Sequence, residues 1–326
     1  MGQTVKPGAL RKGDTIAIVA PSGPVCGEAL ERGIRLLESF GLKVKVGPSV
    51  KKRWGYLAGS DAERAEDLME AWADPEVRGV IAARGGYGAM RVIPHLDFDC
   101  IRQNPKIFLG YSDITTLHLA FWKEAGLVTF HGPVAEMSPV KMNSYNCTWL
   151  RETLFGSWPP GDLPVPVAPN DAPCTPHRFT VFEKGRVRGE LVGGNLSLIA
   201  SSIGTLWEID TRGKVLLLEE VGERPYRIDR MLCHLRLAGK LDDAAGFCLG
   251  DFTDCEGNLG PDRPGFTVAE VLNQYFAGTG KPCIGNIPAG HGKYNSVLPL
   301  GVEVAIEAGL GADELSRVYF PEKAMS

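Results

Sequence analysis

The sequence predicts an α/β protein whose first half is a parallel sheet covered by helices and whose second half is a smaller, mixed or β-rich unit. Three observations predict it. From Asp14 onward short apolar strand patterns alternate with amphipathic helix patterns. A stretch dense in proline then interrupts the pattern, and beyond it apolar runs resume that end in loops rather than in a regular alternation with helices.

TIAIVAP reads as a buried strand, and EALERGIRLLESFGL as a helix with Leu30, Ile34 and Leu37 on one face and Gly41 as its stop. LKVKVG follows as a strand, SDAERAEDLMEAWAD as a helix capped by Ser60 or Asp61, and GVIAARGGYG as a strand running into glycines. KIFLGYSD passes directly into a helix with Ile114, Leu117 and Phe121 on one face, and LVTFHGP is the next strand. This places a first domain at 1–135. Residues 136–184, containing WPPGDLPVPVAPNDAPCTP, read as a proline-rich linker region. Residues 185–326 form the second domain: GKVLLLEEVGE as a buried strand ending in carboxylates, YRIDRMLCHLRLAG as a helix, AAGFCLGDF and PCIGNIPAGH as strands ending in loops, and VLPLGVEVAIEAG as a closing hairpin.

Composition excludes several function classes. The 326 residues are 44% hydrophobic and 23% charged, with a net charge of −4 and scattered Lys and Arg, so no polyanion-binding surface and no nucleic-acid partner are expected. No stretch approaches the roughly 18 apolar residues of a membrane span, and the N-terminal apolar run alternates like a strand and lacks a cleavage site. The expected compartment is the cytoplasm, with no membrane partner. The eight cysteines show no C-x-x-C pair or neighbouring histidine cluster, and HExxH and P-loop patterns are missing, so neither a metal nor a nucleotide cofactor is expected.

In open α/β sheets ligands gather beyond the carboxyl ends of the strands. The sequence puts Arg84-Gly85-Gly86-Tyr87-Gly88, Ser112-Asp113, His131, Glu219-Glu220, Asp251 and Gly290-His291-Gly292 there. A serine on a tight strand-to-helix turn has its hydroxyl aimed past the first helical turn, where free backbone N–H groups can hold an oxyanion. GYSDI lacks the second glycine of Gly-x-Ser-x-Gly, and Ser before a helix is also a common cap. The glycines of RGGYG allow a second backbone N–H to approach without obstruction. A serine nucleophile needs a base and the base an orienting acceptor. His118 and His234 fall inside helices, His95 and His177 in neutral context, leaving His131 and the glycine-flanked His291, of which His291 leads. Glu219 and Glu220 are the candidate orienting carboxylates. Ser, Glu and His occur in the chain order of α/β-hydrolases with different spacing.

Beyond these residues the sequence resembles the LD-carboxypeptidase family of serine peptidases, the enzymes of murein tetrapeptide recycling and their microcin-immunity relatives. The resemblance runs through IAIVAPSGP, YLAGSDAERAEDL, ARGGYGAMRVIPHLDF, FLGYSDITTLHLAF, TFHGP, GELVGGNLSLIASSIGT, LLLEEVGERPYRIDRMLCHLRLAG, NIPAGHG and LPLG, nearly the whole chain. It implies a Rossmann-like N-terminal domain carrying the nucleophile Ser112, a β-rich α+β C-terminal domain carrying Glu219 and His291, a cleft between them, oxyanion N–H groups from Asp113 and Gly86, and a homodimer. The family usually shows Glu-Asp where this chain has Glu219-Glu220, and Glu219 is taken as the partner of His291. GGNLSLIASSIGT and VGERPYRIDR are similar to the murein-recycling branch, so the implied substrate is the stem L-Ala-D-Glu-meso-diaminopimelate-D-Ala, cut before its terminal D-Ala. Arg84 and Asn195, read as lying on glycine-flanked loops, are expected to bind its amides or carboxylates. One rival keeps the fold and takes peptide-nucleotide or acyl-sulfamoyl conjugates, with Trp207 or Trp158 stacking on a base. A rival of another class is a non-catalytic muropeptide-binding protein in which Ser112 only caps a helix.

Overall fold

The structure, a computed structural model, describes residues 4–166, 178–257, 264–310 and 315–326. It divides into two compact units: 1–159 with 295–301 and 323–326, and 160–294 with 302–322.

In the first unit β1 (Thr15–Val19), α1 (Gly27–Ser39), β2 (Lys43–Val46), α2 (Asp61–Ala73) and β3 (Val77–Ala82) follow the predicted alternation. After them come α3 (Ala89–Val92), α4 (Phe98–Gln103), β4 (Ile107–Gly110), α5 (Thr115–Ala125), β5 (Thr129–His131) and α6 (Ser144–Leu154). The five strands are parallel in the order β5-β4-β3-β1-β2, and Leu298–Leu300 adds an antiparallel edge against β5. Ser60 caps α2 in a capping box, its hydroxyl accepting from Glu63 N while Glu63 accepts from Ser60 N at 2.8 Å. Phe121 of α5 packs its ring edge to face against both Trp72 of α2 and Phe108 of β4 at the centre of the core. Chain order reverses between β1 and β3, which puts a switch point at their carboxyl ends, where the loops at 20–24 and 83–88 begin.

The second unit holds β6 (Gly161–Asp162), β7 (Thr180–Glu183), β8 (Gly185–Asn195), α7 (Leu196–Ser202), β9 (Val215–Val221), α8 (Pro225–Leu237), α9 (Lys240–Asp243), β10 (Gly246–Thr253), α10 (Val268–Phe276) and β11 (Cys283–Gly285). Strands β8, β9, β10 and β11 are parallel, and antiparallel strands flank them on both sides, among them Glu303–Leu310 and Leu315–Phe320. The sheet is mixed and dominates the unit, with α7, α8 and α10 packed together.

Two expectations need revision. VLPLGVEVAIEAG is not a hairpin: Leu298–Leu300 pairs with β5 of the first unit, whereas Glu303–Leu310 pairs with β8 and with Leu315–Phe320. The turn at Gly301, with φ +90°, separates two strands that belong to different sheets. Within the stretch read as linker, residues 144–154 form α6, capped by Asn143, whose side chain accepts from Asn146 N at 2.9 Å. Residues 167–177, including His177 and Cys174, lie outside the described residues.

Candidate active site

β4 is buried throughout and ends at Gly110, a position where a Cβ would press on Ile114 at 2.9 Å, so the chain must turn sharply there. It does so through Ser112, whose φ of +65° lies in the left-handed region that disfavours a residue with a Cβ. Residues 112–114 form a 3₁₀ turn into α5, and no side chain caps either start. Ser112 is thus held in a costly conformation that helix capping does not explain.

Gly85 lies against it. A Cβ on Gly85 would be 3.0 Å from Ser112 Cβ, 3.2 Å from its Oγ and 3.5 Å from Asp113 N, so only glycine lets the loop after β3 approach so closely. Gly86, next in that loop, has φ +111° and is exposed. The Asp113 carboxylate is 1% exposed and accepts from Ser22 Oγ at 2.7 Å and Ala89 N at 2.8 Å. Burial pushes its carboxyl up, against the opposing pull of those bonds and of the Arg64 charge. Arg84 directs Nη1 to Pro24 O at 2.9 Å and lies 3.7 Å from Glu136, so part of its fork braces the loop after β1.

In the second unit the carboxylates at the end of β9 point to opposite faces, as strand neighbours must. Glu219, 0% exposed, bonds His291 Nδ1 at 2.7 Å through Oε2. Glu220 turns the other way and accepts from Ser197 N (2.8 Å), Ser197 Oγ (2.6 Å), Asn195 Nδ2 (3.1 Å) and Val221 N (2.8 Å). Burial raises its carboxyl and these bonds oppose the rise.

The loop carrying His291 fits against β10 because glycines make room. A Cβ on Gly250 would meet Ala289 O at 2.4 Å, one on Gly290 would meet Glu219 Oε2 at 2.6 Å, and one on Gly292 would meet Asp251 Oδ2 at 2.1 Å. Asp251 N donates to Ala289 O at 2.9 Å and Gly292 N to Asp251 Oδ2 at 3.1 Å, so both ends of the Gly290–Gly292 turn are tied to one residue. His291 keeps 17% side-chain exposure.

The other candidates fall elsewhere. His131 is fully buried in β5 against Tyr111, and His118 is buried in α5 with Nε2 2.9 Å from Gly110 O, its basicity lowered to about 4 by desolvation. Asn195 is not on a loop: it ends β8, is 2% exposed and caps α7 by accepting from Leu198 N at 3.3 Å while its Nδ2 serves Glu220. Its amide is therefore held from both ends, the oxygen by the start of α7 and the nitrogen by Glu220. Trp158 is 5% exposed and packed on Trp149, so it offers no stacking face; Trp207 is half-buried. Sequence reasoning missed Arg64, Ser22 and Gly250. For Arg64 a signal existed, since it shares the buried side of α2 with Ala65, Leu68 and Trp72. Among the described residues no group of His, Cys, Asp and Glu is arranged to hold a metal ion, and no helix is long and apolar enough to cross a membrane.

Comparison with known proteins adds to this geometry. Residues 16–132 match the LD-carboxypeptidase N-terminal domain and residues 188–306 the LD-carboxypeptidase C-terminal domain. The chain is 41% identical over 310 residues to a probable murein peptide carboxypeptidase of Bacillus subtilis, covering 92% of this chain and 91% of that one. A muramoyltetrapeptide carboxypeptidase of Oxalobacter formigenes superposes with a TM-score of 0.79 at 31% identity, over 94% of this chain and 100% of the other. The self-immunity protein MccF in complex with glutamyl sulfamoyl guanosine superposes with a TM-score of 0.85 at 25% identity, over 98% and 99%. With both domains matched and sequence similarity running through nearly its full length, the chain belongs to the LD-carboxypeptidase family and is a serine-type hydrolase of that class.

Proposed function

We propose that the protein cleaves the bond between meso-diaminopimelate and the terminal D-Ala of murein tetrapeptides, with Ser112 as nucleophile, His291 as base and Glu219 as its orienting partner. The observation that carries this reading is the 2.7 Å bond between His291 Nδ1 and the buried Glu219 Oε2. A carboxylate accepts only, so Nδ1 carries the proton and Nε2 is the acceptor, the tautomer a general base requires. The positive φ of Ser112 adds a second support, because such strain is concentrated at reacting groups.

In the proposed route the Ser112 hydroxyl proton passes to His291 Nε2 as Oγ bonds the scissile carbonyl carbon. The oxyanion receives hydrogen bonds from the backbone N–H groups of Asp113 and Gly86. Collapse breaks the C–N bond and the D-Ala amine takes the proton from His291. Water then gives a proton to His291 and attacks the ester, and the proton returns to Ser112 Oγ. Arg84, whose side chain is 41% exposed beside this loop, has guanidinium donors suited to a substrate carboxylate. The family resemblance carries with it a role in murein recycling, a cytoplasmic site of action and a homodimer. Subcellular fractionation and light scattering test the last two.

The test is release of D-alanine from free murein tetrapeptide by wild type and Ser112→Ala. Release by wild type and its loss in the variant is expected; equal release by both removes Ser112 from the mechanism, and saturable binding without turnover favours the binding-protein reading. A second substrate class, acyl-sulfamoyl nucleosides, is favoured by the likeness to MccF, whose structure holds glutamyl sulfamoyl guanosine. Turnover of such a conjugate without D-alanine release would move the assignment there.

A further inference from the structure

Arg64 is 0% exposed in the middle of a domain core, an expensive place for a charge that cannot be given up. Each of its three nitrogens has a partner. Nε donates to Gly59 O at 3.2 Å, Nη1 donates to Gly88 O at 2.8 Å and to Pro21 O, and Nη2 pairs with Asp61. Asp61 is fixed in turn by Arg91 at 2.9 Å.

The Asp113 carboxylate works on the adjacent residues of the same two loops. Where Arg64 takes the carbonyls of Pro21 and Gly88, Asp113 takes the hydroxyl of Ser22 and the N–H of Ala89. A cation satisfies acceptors and an anion satisfies donors at consecutive positions, so each loop is clamped from both sides of its peptide chain. The loops are also tied directly, Gly23 N donating to Gly85 O at 3.2 Å. Gly86 lies between Gly85, bonded to Gly23, and Gly88, bonded to Arg64. Three of the five residues of Arg84–Gly88 are glycine, a run with little conformational preference of its own. The loop needs an external brace to hold one peptide orientation.

We propose that the buried Arg64 guanidinium, acting with the Asp113 carboxylate, positions the 84–89 loop so that the Gly86 N–H is preset for the oxyanion formed at Ser112. This rests on the proposed roles of Ser112 and Gly86 and goes beyond them. Arg64 touches no reacting atom and is a positioning residue. A merely structural role predicts lower stability with unchanged rate per folded molecule; the positioning role predicts that transition-state stabilisation falls while substrate binding holds.

The experiment compares wild type, Arg64→Lys, Ser22→Ala and Ser112→Ala in four measurements. These are covalent capture by a fluorophosphonate probe, D-alanine release, amide hydrogen exchange of the 84–89 segment, and thermal unfolding. Capture forms the Ser112 Oγ–P bond and expels fluoride with the hydroxyl proton, and the phosphoryl oxygen occupies the oxyanion position. In Arg64→Lys one ammonium cannot span the carbonyls and Asp61 together. Capture and kcat should fall about 10²-fold, the scale of one lost oxyanion donor, with KM within about threefold and exchange at 84–89 faster well below the unfolding temperature. A folded Arg64→Lys protein with wild-type capture, kcat and exchange overturns the proposal. If Arg64→Lys does not fold, Ser22→Ala, which removes only one donor to Asp113, decides: a partial loss of capture with faster exchange at 84–89 supports the proposal, and wild-type values overturn it. Absence of capture and turnover in wild type overturns the nucleophile assignment, and the positioning role with it, and shows in the wild-type arm alone.

Discussion

Replacing Glu219 by Gln tests the proposed base most directly, because the side chain keeps its shape and loses only its charge and one acceptor. The pocket leaves it two orientations. With the amide nitrogen toward His291, Nδ1 must accept, the ring proton moves to Nε2, and Nε2 can no longer take a proton from Ser112. With the amide oxygen toward His291 the tautomer survives, but the NH₂ then occupies the Oε1 position, which has no hydrogen-bond partner among the described residues. An unsatisfied buried donor costs about 1–3 kcal/mol, and the lost charge-assisted bond to the forming imidazolium about 1.5–3 kcal/mol. Together these give about 2.5–6 kcal/mol, or roughly 10²- to 10⁴-fold in kcat at 1.36 kcal/mol per tenfold. The assay is D-alanine release under saturating substrate, with circular dichroism to confirm folding. Glu220→Gln is the internal control: it sets an NH₂ among the donors of Ser197, Asn195 and Val221, so it should cost stability of about 1–3 kcal/mol and leave kcat per folded molecule within about threefold. A folded Glu219→Gln protein with near wild-type kcat, or the larger kcat loss in Glu220→Gln, would refute the reasoning.

Two further predictions concern strain and pH. Ser112→Gly removes a Cβ from a residue at φ +65° and should raise stability by about 1 kcal/mol while abolishing turnover; a lower melting temperature than wild type would show that the turn is not strained. His118 is buried and titrates near 4, against 6.5 for the free side chain, because desolvation disfavours its charged form. The unfolded chain therefore binds a proton that the folded chain refuses: stability from this residue is complete above pH 6.5, falls as pH drops through the window from 6.5 to about 4, and changes no further below it. Between pH 7.5 and 5 the loss should be about 2 kcal/mol by urea denaturation. His118→Gln should flatten that part of the profile, and an unchanged slope would assign it to other groups.

Much of the fold and part of the site were legible locally. The alternation of strand and helix from Asp14 reported the parallel sheet because each pattern is set by residues within a few positions of one another. Ser60 with Glu63 announced the start of α2 for the same reason. The stretch GYSD marked a strand meeting a helix at a serine, and HG flanked by glycine marked a tight loop. Asn195 was misread because a glycine pair suggests a loop, whereas here Gly193 and Gly194 sit in β8 beside β9, where a Cβ on Gly193 would strike Leu217 O at 2.1 Å. The glycines serve close strand packing, and the asparagine after them is a helix cap.

By itself the sequence determined that a serine breaks the strand at Gly110, that two adjacent carboxylates end a buried strand, and that a histidine sits between glycines, since these are properties of neighbouring residues. Strand alternation also required Glu219 and Glu220 to face opposite ways. Which of them meets His291 was decided only by tertiary structure, through Asn195 and Ser197 claiming Glu220 and the loop after β11, packed on β10, carrying His291 to Glu219 across 72 positions of chain. The same holds for Arg64 and Asp113, whose four loop partners are brought together from two separate stretches of sequence. Local patterns are fixed by backbone geometry and side-chain periodicity, whereas the partner of a buried charge is fixed by which distant groups packing leaves without water.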